Sequence, residues 1–216
     1  MSTKDAINAW NASYTHTLVS NNMTWDIGHQ MLEALAIADQ EELKIHKLFP
    51  EAHLPVYGSE WAACFDLSAS IREDDTVAVY GSNNTKTKRP MHDILSNGKP
   101  DGRGVTIYSG ERCLVPTGLV FDLNESQSLR IHPRSGLSWK CGITVANCEG
   151  IVDADYVNET FVMLHNISCE PFAIKDGMRV AQGEIVQNNA QMSLVVVEAE
   201  PKPKTDRKGG FGSTGV

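Results

Sequence analysis

An all-β fold is predicted for most of this 216-residue chain, on three observations. Apolar residues recur in short runs of strand length, many of them alternating. Turn dipeptides and tripeptides separate the runs at close intervals, which is the pattern of a sandwich or barrel. Extended helical spacing appears only at the beginning of the chain.

The elements follow in order. Residues 1–52 are expected to form a short helical extension. Thr3 to Trp10 suits one helix, and Met31, Leu32, Leu35 and Ala36 recur at helical spacing. Asp39 followed by Glu42 resembles a cap with its reciprocal acid, continuing through Leu43 to Leu48 until Pro50 stops it. This stripe would pack on the body of the protein or meet a partner. A β domain is expected over 53–200, with strands at Ala63 to Ser68, Thr76 to Tyr80, Val105 to Tyr108, Cys113 to Val115, Leu119 to Leu123 and Leu129 to His132. Further strands are expected at Ile143 to Ala146, Thr160 to Leu164, Phe172 to Ile174, Gly177 to Gln182 and Met192 to Val197. Between 81 and 104 lies a polar tract rich in turn residues, with one turn of helix expected at Met91 to Leu95. It reads as a tolerated surface insertion. From 201 the chain becomes a Pro- and Lys-bearing linker and then a glycine-rich arm.

Composition narrows the function. Hydrophobic residues make up 41% and charged residues 21%, an ordinary globular balance. The net charge is −8 without a basic block, which disfavours nucleic acid as a partner. No apolar run approaches the length of a membrane span. Five cysteines, Cys64, Cys113, Cys141, Cys148 and Cys169, show no metal-ligand spacing. Free thiols in a reducing cytoplasm are expected, with Cys148 a small packed side chain. The seven histidines are scattered, and no protein-bound zinc is expected.

Three stretches carry residues suited to chemistry. Gly150 to Tyr156 sits between two apolar runs, with turn chemistry at Asn147 to Gly150, and reads as a hairpin carrying Asp153 and Tyr156. A carboxylate held there can take a proton from water, and a tyrosine offers a flat face to a sugar or base. The alternative is an edge hairpin with a solvated acid. Pro133 to Leu137 reads as a turn whose Arg134 supplies a donor fork, Ser135 a hydroxyl and Gly136 an approachable amide, all suited to phosphate. The alternative is an ordinary turn with an exposed arginine. The third stretch, Gly209 to Gly215, sets Phe211 among glycines with Ser213 and Thr214. It would suit a mobile arm that stacks one ring and wraps phosphates, or else a plain tail.

Together these stretches resemble the five ordered motifs of the trimeric deoxyuridine triphosphatases (dUTPases). Ala63 to Leu67 is similar to the first and Pro133 to Leu137 to the second. Asn147 to Tyr156 is similar to the third, Gly177 to Gln182 to the fourth and Arg207 to Gly215 to the fifth. The likeness runs from about Leu54 to Val216 and leaves out 81–104.

The resemblance implies a β jelly roll (β-clip) assembled as a homotrimer, with each site shared between subunits. It implies hydrolysis of dUTP to dUMP and pyrophosphate with Mg²⁺, the metal held by triphosphate and waters. Asp153 would activate the water that attacks the α-phosphorus, with Asp66 a supporting acid. Tyr156 would pack under the deoxyribose. Asn147, Gly150, Ile151, Val152 and Phe161 would frame the uracil. Arg134, Ser135, Gly136 and Gln182 would hold phosphates, while Arg207, Gly212, Ser213 and Thr214 grip the γ end and Phe211 stacks on the base.

The chain departs from the pattern in three places. Cys64-Phe65 stands where the family has Gly-Tyr, Asn158 stands where it has Gly, and the last motif is one residue short between Arg207 and Phe211. Cys64 fits only a backbone without positive φ, and Asn158 is expected to tolerate a left-handed turn. A dCTP deaminase-type enzyme on the same fold is the nearest alternative. A regulatory protein-binding role through residues 1–52 or 81–104 is another.

Overall fold

A computed structural model describes residues 42–97, 99–188, 193–202, 204 and 206. The expected helices between Thr3 and Ala36 lie outside the described residues, as do Arg207, Phe211, Gly212, Ser213 and Thr214.

Fifteen strands and one short helix make up the described chain: β1 (Lys44–Lys47), β2 (Val56–Tyr57), β3 (Phe65–Ser68), β4 (Thr76–Tyr80), β5 (Lys86–Pro90), β6 (His92–Ser96), β7 (Lys99–Ile107), β8 (Arg112–Pro116), β9 (Leu119–Asp122) and β10 (Gln127–His132), then α1 (Ser135–Cys141), then β11 (Ile143–Val145), β12 (Gly150–Asp153), β13 (Phe161–Asn166), β14 (Phe172–Lys175) and β15 (Arg179–Gln187). Two five-stranded antiparallel sheets dominate. One has the order β12-β10-β15-β3-β2 and the other β11-β13-β8-β4-β5. A β1-β9 pair and a three-stranded β14-β7-β6 sheet complete the architecture.

Alternation places one face of several strands inside. In β4, Val77 and Val79 are buried while Thr76 and Tyr80 are exposed, and β13 buries Val162, Leu164 and Asn166. Val77, Val79, Val162 and Leu164 join Leu67, Ile107, Val115, Leu129 and Ile174 in one core, each removed from water. Phe65 of β3 stacks on Phe121 of β9 at 6.1 Å between centroids. Among the described residues no helix is long and apolar enough to cross a membrane.

Four local expectations give way. Leu43 to Leu48 is not a helix, because β1 pairs with β9 from Lys44↔Asp122 to Lys47↔Leu119. Leu43, Ile45 and Phe49 fall at even spacing and pack together against the core, a strand period that overrides the capping signal before it. The body therefore begins before residue 53. Met91 to Leu95 is not a helical turn either, since β6 pairs with β7. The turn expected at Pro133 to Leu137 instead opens α1, with Arg134 extended at its N-cap and Leu137 buried. Gly142 closes that helix at φ 64°, where its amide reaches the Leu137 carbonyl. Ser193 to Val197 forms no strand, and Leu194 and Val196 are almost wholly exposed. Its β-prone residues are exposed among the described residues, and packing is what gives β propensity its force.

The 81–104 tract is mostly strand rather than loop, and β5 extends the second large sheet through β4. A two-pronged ion pair fastens it. Arg89 donates to both oxygens of Glu111, at 2.6 and 2.8 Å, and the Tyr108 amide donates to the same carboxylate at 2.7 Å. Both side chains are largely shielded from solvent. The Arg89 hydrogen bonds, opposed by burial and helped by the Tyr108 amide, hold the Glu111 carboxyl below its ordinary range. A depressed carboxyl contributes stability above its unfolded-state pKa and loses it as pH falls through the folded value. Glu111→Gln is expected to cost about 2 kcal/mol at neutral pH, the scale for a charge-assisted hydrogen bond. Its deficit against the parent should shrink as urea titrations move below about pH 4.

Candidate active site

Strand β10 organises the candidate residues. Along one edge it pairs with β15, from Gln127↔Gln187 to His132↔Gln182. Along the other it pairs with β12, from Ser128↔Asp153 to Ile131↔Gly150. Asp153 lies beside its N-terminal end, Gly150 beside Ile131 toward its C-terminal end, and Arg134 just past that end.

At the C-terminal end, β10 runs through Pro133 into α1. Arg134 Nε lies 2.8 Å from Asp66 Oδ1, and Arg179 donates to Asp66 Oδ2 at 2.9 Å. Asp66 is largely shielded, so this carboxylate divides its two oxygens between two guanidiniums. Arg134 also donates to the Arg179 carbonyl at 3.0 Å, and the Gln182 amide donates to the Pro133 carbonyl at 3.2 Å. Ser135 and Gly136 are exposed on the first turn of α1, where backbone amides lack intrahelical partners. The result is an electropositive, donor-rich corner suited to phosphate oxygens. Arg179 is not among the residues that the sequence singles out. Its signal is its place in Gly177 to Gln182, but only the β15–β3 pairing shows that it shares Asp66.

At the N-terminal end, Asp153 closes β12 opposite Ser128 and is exposed. It lines a cleft of about 570 Å³ with Leu123, Glu125, Gln127, Asp155 and Asn188. The Tyr156 amide donates to the Asp153 carbonyl at 3.1 Å, closing a tight turn that keeps the acid and the ring together. The Tyr156 hydroxyl donates to the Glu159 carbonyl at 3.0 Å, leaving the ring half-exposed. Val152 is buried and Ile151 exposed, so at Val152 a base could meet only backbone. Gly150 is buried against Ile131, where a Cβ would stand 3.0 Å from the Ile131 Cβ. Asn147 is exposed, and Phe161 opens β13 half-exposed opposite Pro116.

The expected simple hairpin is divided between the two sheets. Its flanking runs do pair, Ile143↔Asn166 to Val145↔Leu164, but Gly150–Asp153 crosses to the sheet of β10. The left-handed residue of this region is Cys148, at φ 64°, rather than Asn158. Cys148 is exposed, not packed. The backbone at Cys64 stays out of the left-handed region, as its side chain requires.

Ser128 faces Asp153, and Arg134 lies six residues further along the same extended course. At strand rise that is about 20 Å. The Arg134 side chain turns across β15 to Asp66 on β3, while Asp153 lies on β12 beyond the other edge of β10.

This frame of two antiparallel sheets is that of solved dUTPases. The chain matches a Streptococcus mutans dUTPase at TM-score 0.51, with 20% identity over 69% of this chain and 98% of that one. It matches the Staphylococcus bacteriophage 80alpha dUTPase with dUPNHPP at TM-score 0.60, with 18% identity over 82% of this chain and 100% of that one. The dUTPase family model matches residues 102–215. A deoxyuridine 5'-triphosphate nucleotidohydrolase of Rhizobium meliloti is 45% identical over 164 residues, 76% of this chain and 83% of the relative. One from Nautilia profundicola is 38% identical over 175 residues, 81% of this chain and 99% of the relative. The chain belongs to the dUTPase family.

Asp66 gives this corner a direct test. Asp66→Ala leaves the Arg134 and Arg179 guanidiniums facing each other without a counter-charge. The change is expected to cost about 2 kcal/mol in a urea titration, the scale for charge-assisted hydrogen bonds. Added pyrophosphate should restore part of the loss by supplying the missing anion.

Proposed function

We propose that this chain hydrolyses dUTP to dUMP and pyrophosphate at sites that combine the Asp153 end of one copy with the Arg134 end of another, in a homotrimer. The observation that carries the reading is the placement of the two groups on opposite edges of β10, Asp153 on β12 and the Arg134 guanidinium turned across β15 to Asp66 on β3. Two copies can supply both.

In this reading the uracil lies along Asn147, Gly150, Ile151 and Val152, with Phe161 at its border. Backbone there reads its edge, and the Tyr156 ring packs under the deoxyribose. The Arg134–Arg179 pair, oriented by Asp66, takes phosphate oxygens together with Ser135, Gly136 and Gln182. Asp153 accepts a proton from a water. That water's oxygen bonds to the α-phosphorus as the bond to the bridging oxygen breaks, and pyrophosphate leaves. Such chemistry asks for positioning and charge stabilisation rather than covalent help. The arm bearing Arg207, Phe211, Gly212, Ser213 and Thr214 would close the site after substrate enters.

Among the described residues no three His, Cys, Asp or Glu side chains gather as a metal site, which suits an Mg²⁺ that would be carried by the triphosphate and its waters, as this ion keeps several waters and binds through substrate phosphates. When bound, it would neutralise phosphate charge.

Asp153→Asn tests the assignment. Pyrophosphate release from dUTP is expected to fall by about 10²–10⁴-fold, as general-base removal does. The fold and dUTP binding should be retained. The parent should release pyrophosphate from dUTP in preference to dCTP, dTTP and UTP. Turnover within a few-fold of the parent in the Asn variant would remove Asp153 from the role.

A further inference from the structure

Glu159 has no part in the chemistry above, yet both its ends are engaged. Its Oε1 accepts the Gly118 amide at 2.8 Å, and its carbonyl accepts the Tyr156 hydroxyl at 3.0 Å. Gly118 cannot readily be replaced. Its φ is +67°, and a Cβ there would come within 2.8 Å of Ala52 and Phe49. It is also buried, in the turn between β8 and β9, so its N–H requires a partner inside the protein. Glu159 supplies that partner from 41 residues away.

Neighbouring bonds fix the same junction. The Thr117 hydroxyl donates to the Thr160 carbonyl at 2.6 Å, and the Thr160 amide donates to the Leu119 carbonyl at 2.8 Å. The Leu48 amide, just past β1, donates to the Gly118 carbonyl at 2.9 Å. Around Glu159 a cavity of about 310 Å³ is lined by Leu48, Phe49, Arg72, Asp75 and Phe161. Burial pushes the Glu159 carboxyl up, against the Gly118 hydrogen bond, with Asp75 adding to the shift and Arg72 opposing it. The side chain stays in this poorly solvated place because the Gly118 amide holds it there.

We propose that Glu159 is a positioning residue for sugar selection: its bond to Gly118 fixes the carbonyl that tethers the Tyr156 hydroxyl, and so sets the ring against which the deoxyribose packs. The proposal rests on the reading of Tyr156 as the sugar platform. A ring tethered at its hydroxyl and, through its amide, at the Asp153 carbonyl has little freedom to swing aside for a 2′-hydroxyl. A ring tethered only by its amide has more. The loop between them, Val157 and Asn158, is exposed, so the hydroxyl end of the ring is held through the Glu159 carbonyl.

The test is the ratio of kcat/KM for dUTP over UTP, in the full chain. Glu159→Ala is expected to narrow that ratio by about tenfold, within the range for a lost packing constraint. Glu159→Gln keeps an acceptor for the Gly118 amide and should restore the ratio. Tyr156→Phe deletes only the tethered hydroxyl and should narrow it comparably. The double variant Glu159→Ala with Tyr156→Phe should add little beyond either alone, since both act through one tether. Tyr156→Ala reports on the underlying reading: an unchanged ratio there removes Tyr156 as the platform. A ratio that changes in Tyr156→Ala but not in Tyr156→Phe overturns the proposal for Glu159. So does a Glu159→Ala variant that melts earlier with its ratio unchanged. Should Glu159→Ala fail to fold, Glu159→Asp decides, since it keeps the charge but is one methylene too short for the Gly118 amide; an unchanged ratio there overturns the proposal.

Discussion

The pairing of β10 on both its edges is the constraint on which the rest depends. Its register with β12 places Asp153 opposite Ser128, and its register with β15 places Gln182 opposite His132. A slip of one residue on either side would turn Asp153 or Gln182 to the other face of the sheet. The buried face resists such a slip, because Leu129 and Ile131 belong to the core. Core packing therefore fixes where Asp153 and Gln182 stand, on strands that flank β10 on opposite edges.

Each end of β10 is held before any ligand arrives. Two guanidiniums would repel each other at the corner near α1, and Asp66 allows them to sit side by side. A carboxylate that accepts from both also fixes their directions, which a planar donor fork needs for phosphate. At the other end the turn from Asp153 to Tyr156 is closed by the backbone, and the ring is steadied through Glu159. Pre-set geometry of this kind lowers the entropy that binding must overcome.

Much of this was legible in the sequence. The alternation of Thr76 to Tyr80 and of Phe161 to Asn166 marks strands by itself, and the residues of five ordered stretches point to the family. What was not legible depends on partners distant in the chain. Leu43 to Leu48 carries a capping signal and a helix-friendly composition, and only β9 makes it a strand. Met91 to Leu95 becomes a strand because β7 lies beside it. Pro133 to Leu137 contains a glycine that suggests a turn, but a buried Leu137 and a left-handed Gly142 stabilise one short helix. Arg179 and Glu159 act through Asp66 and Gly118, contacts that no local spacing encodes.

The claim most exposed to experiment is that one site draws on more than one chain. Two variants, Asp153→Ala and Arg134→Ala, each lack one end of β10's chemistry and should each be inactive toward dUTP. Refolded together, they form mixed assemblies in which an intact Asp153 can face an intact Arg134 from a neighbour. Pyrophosphate release that appears only in the mixture is the predicted result. Mixed assemblies that form, by native mass measurement, and stay as inactive as their parents would contradict the account.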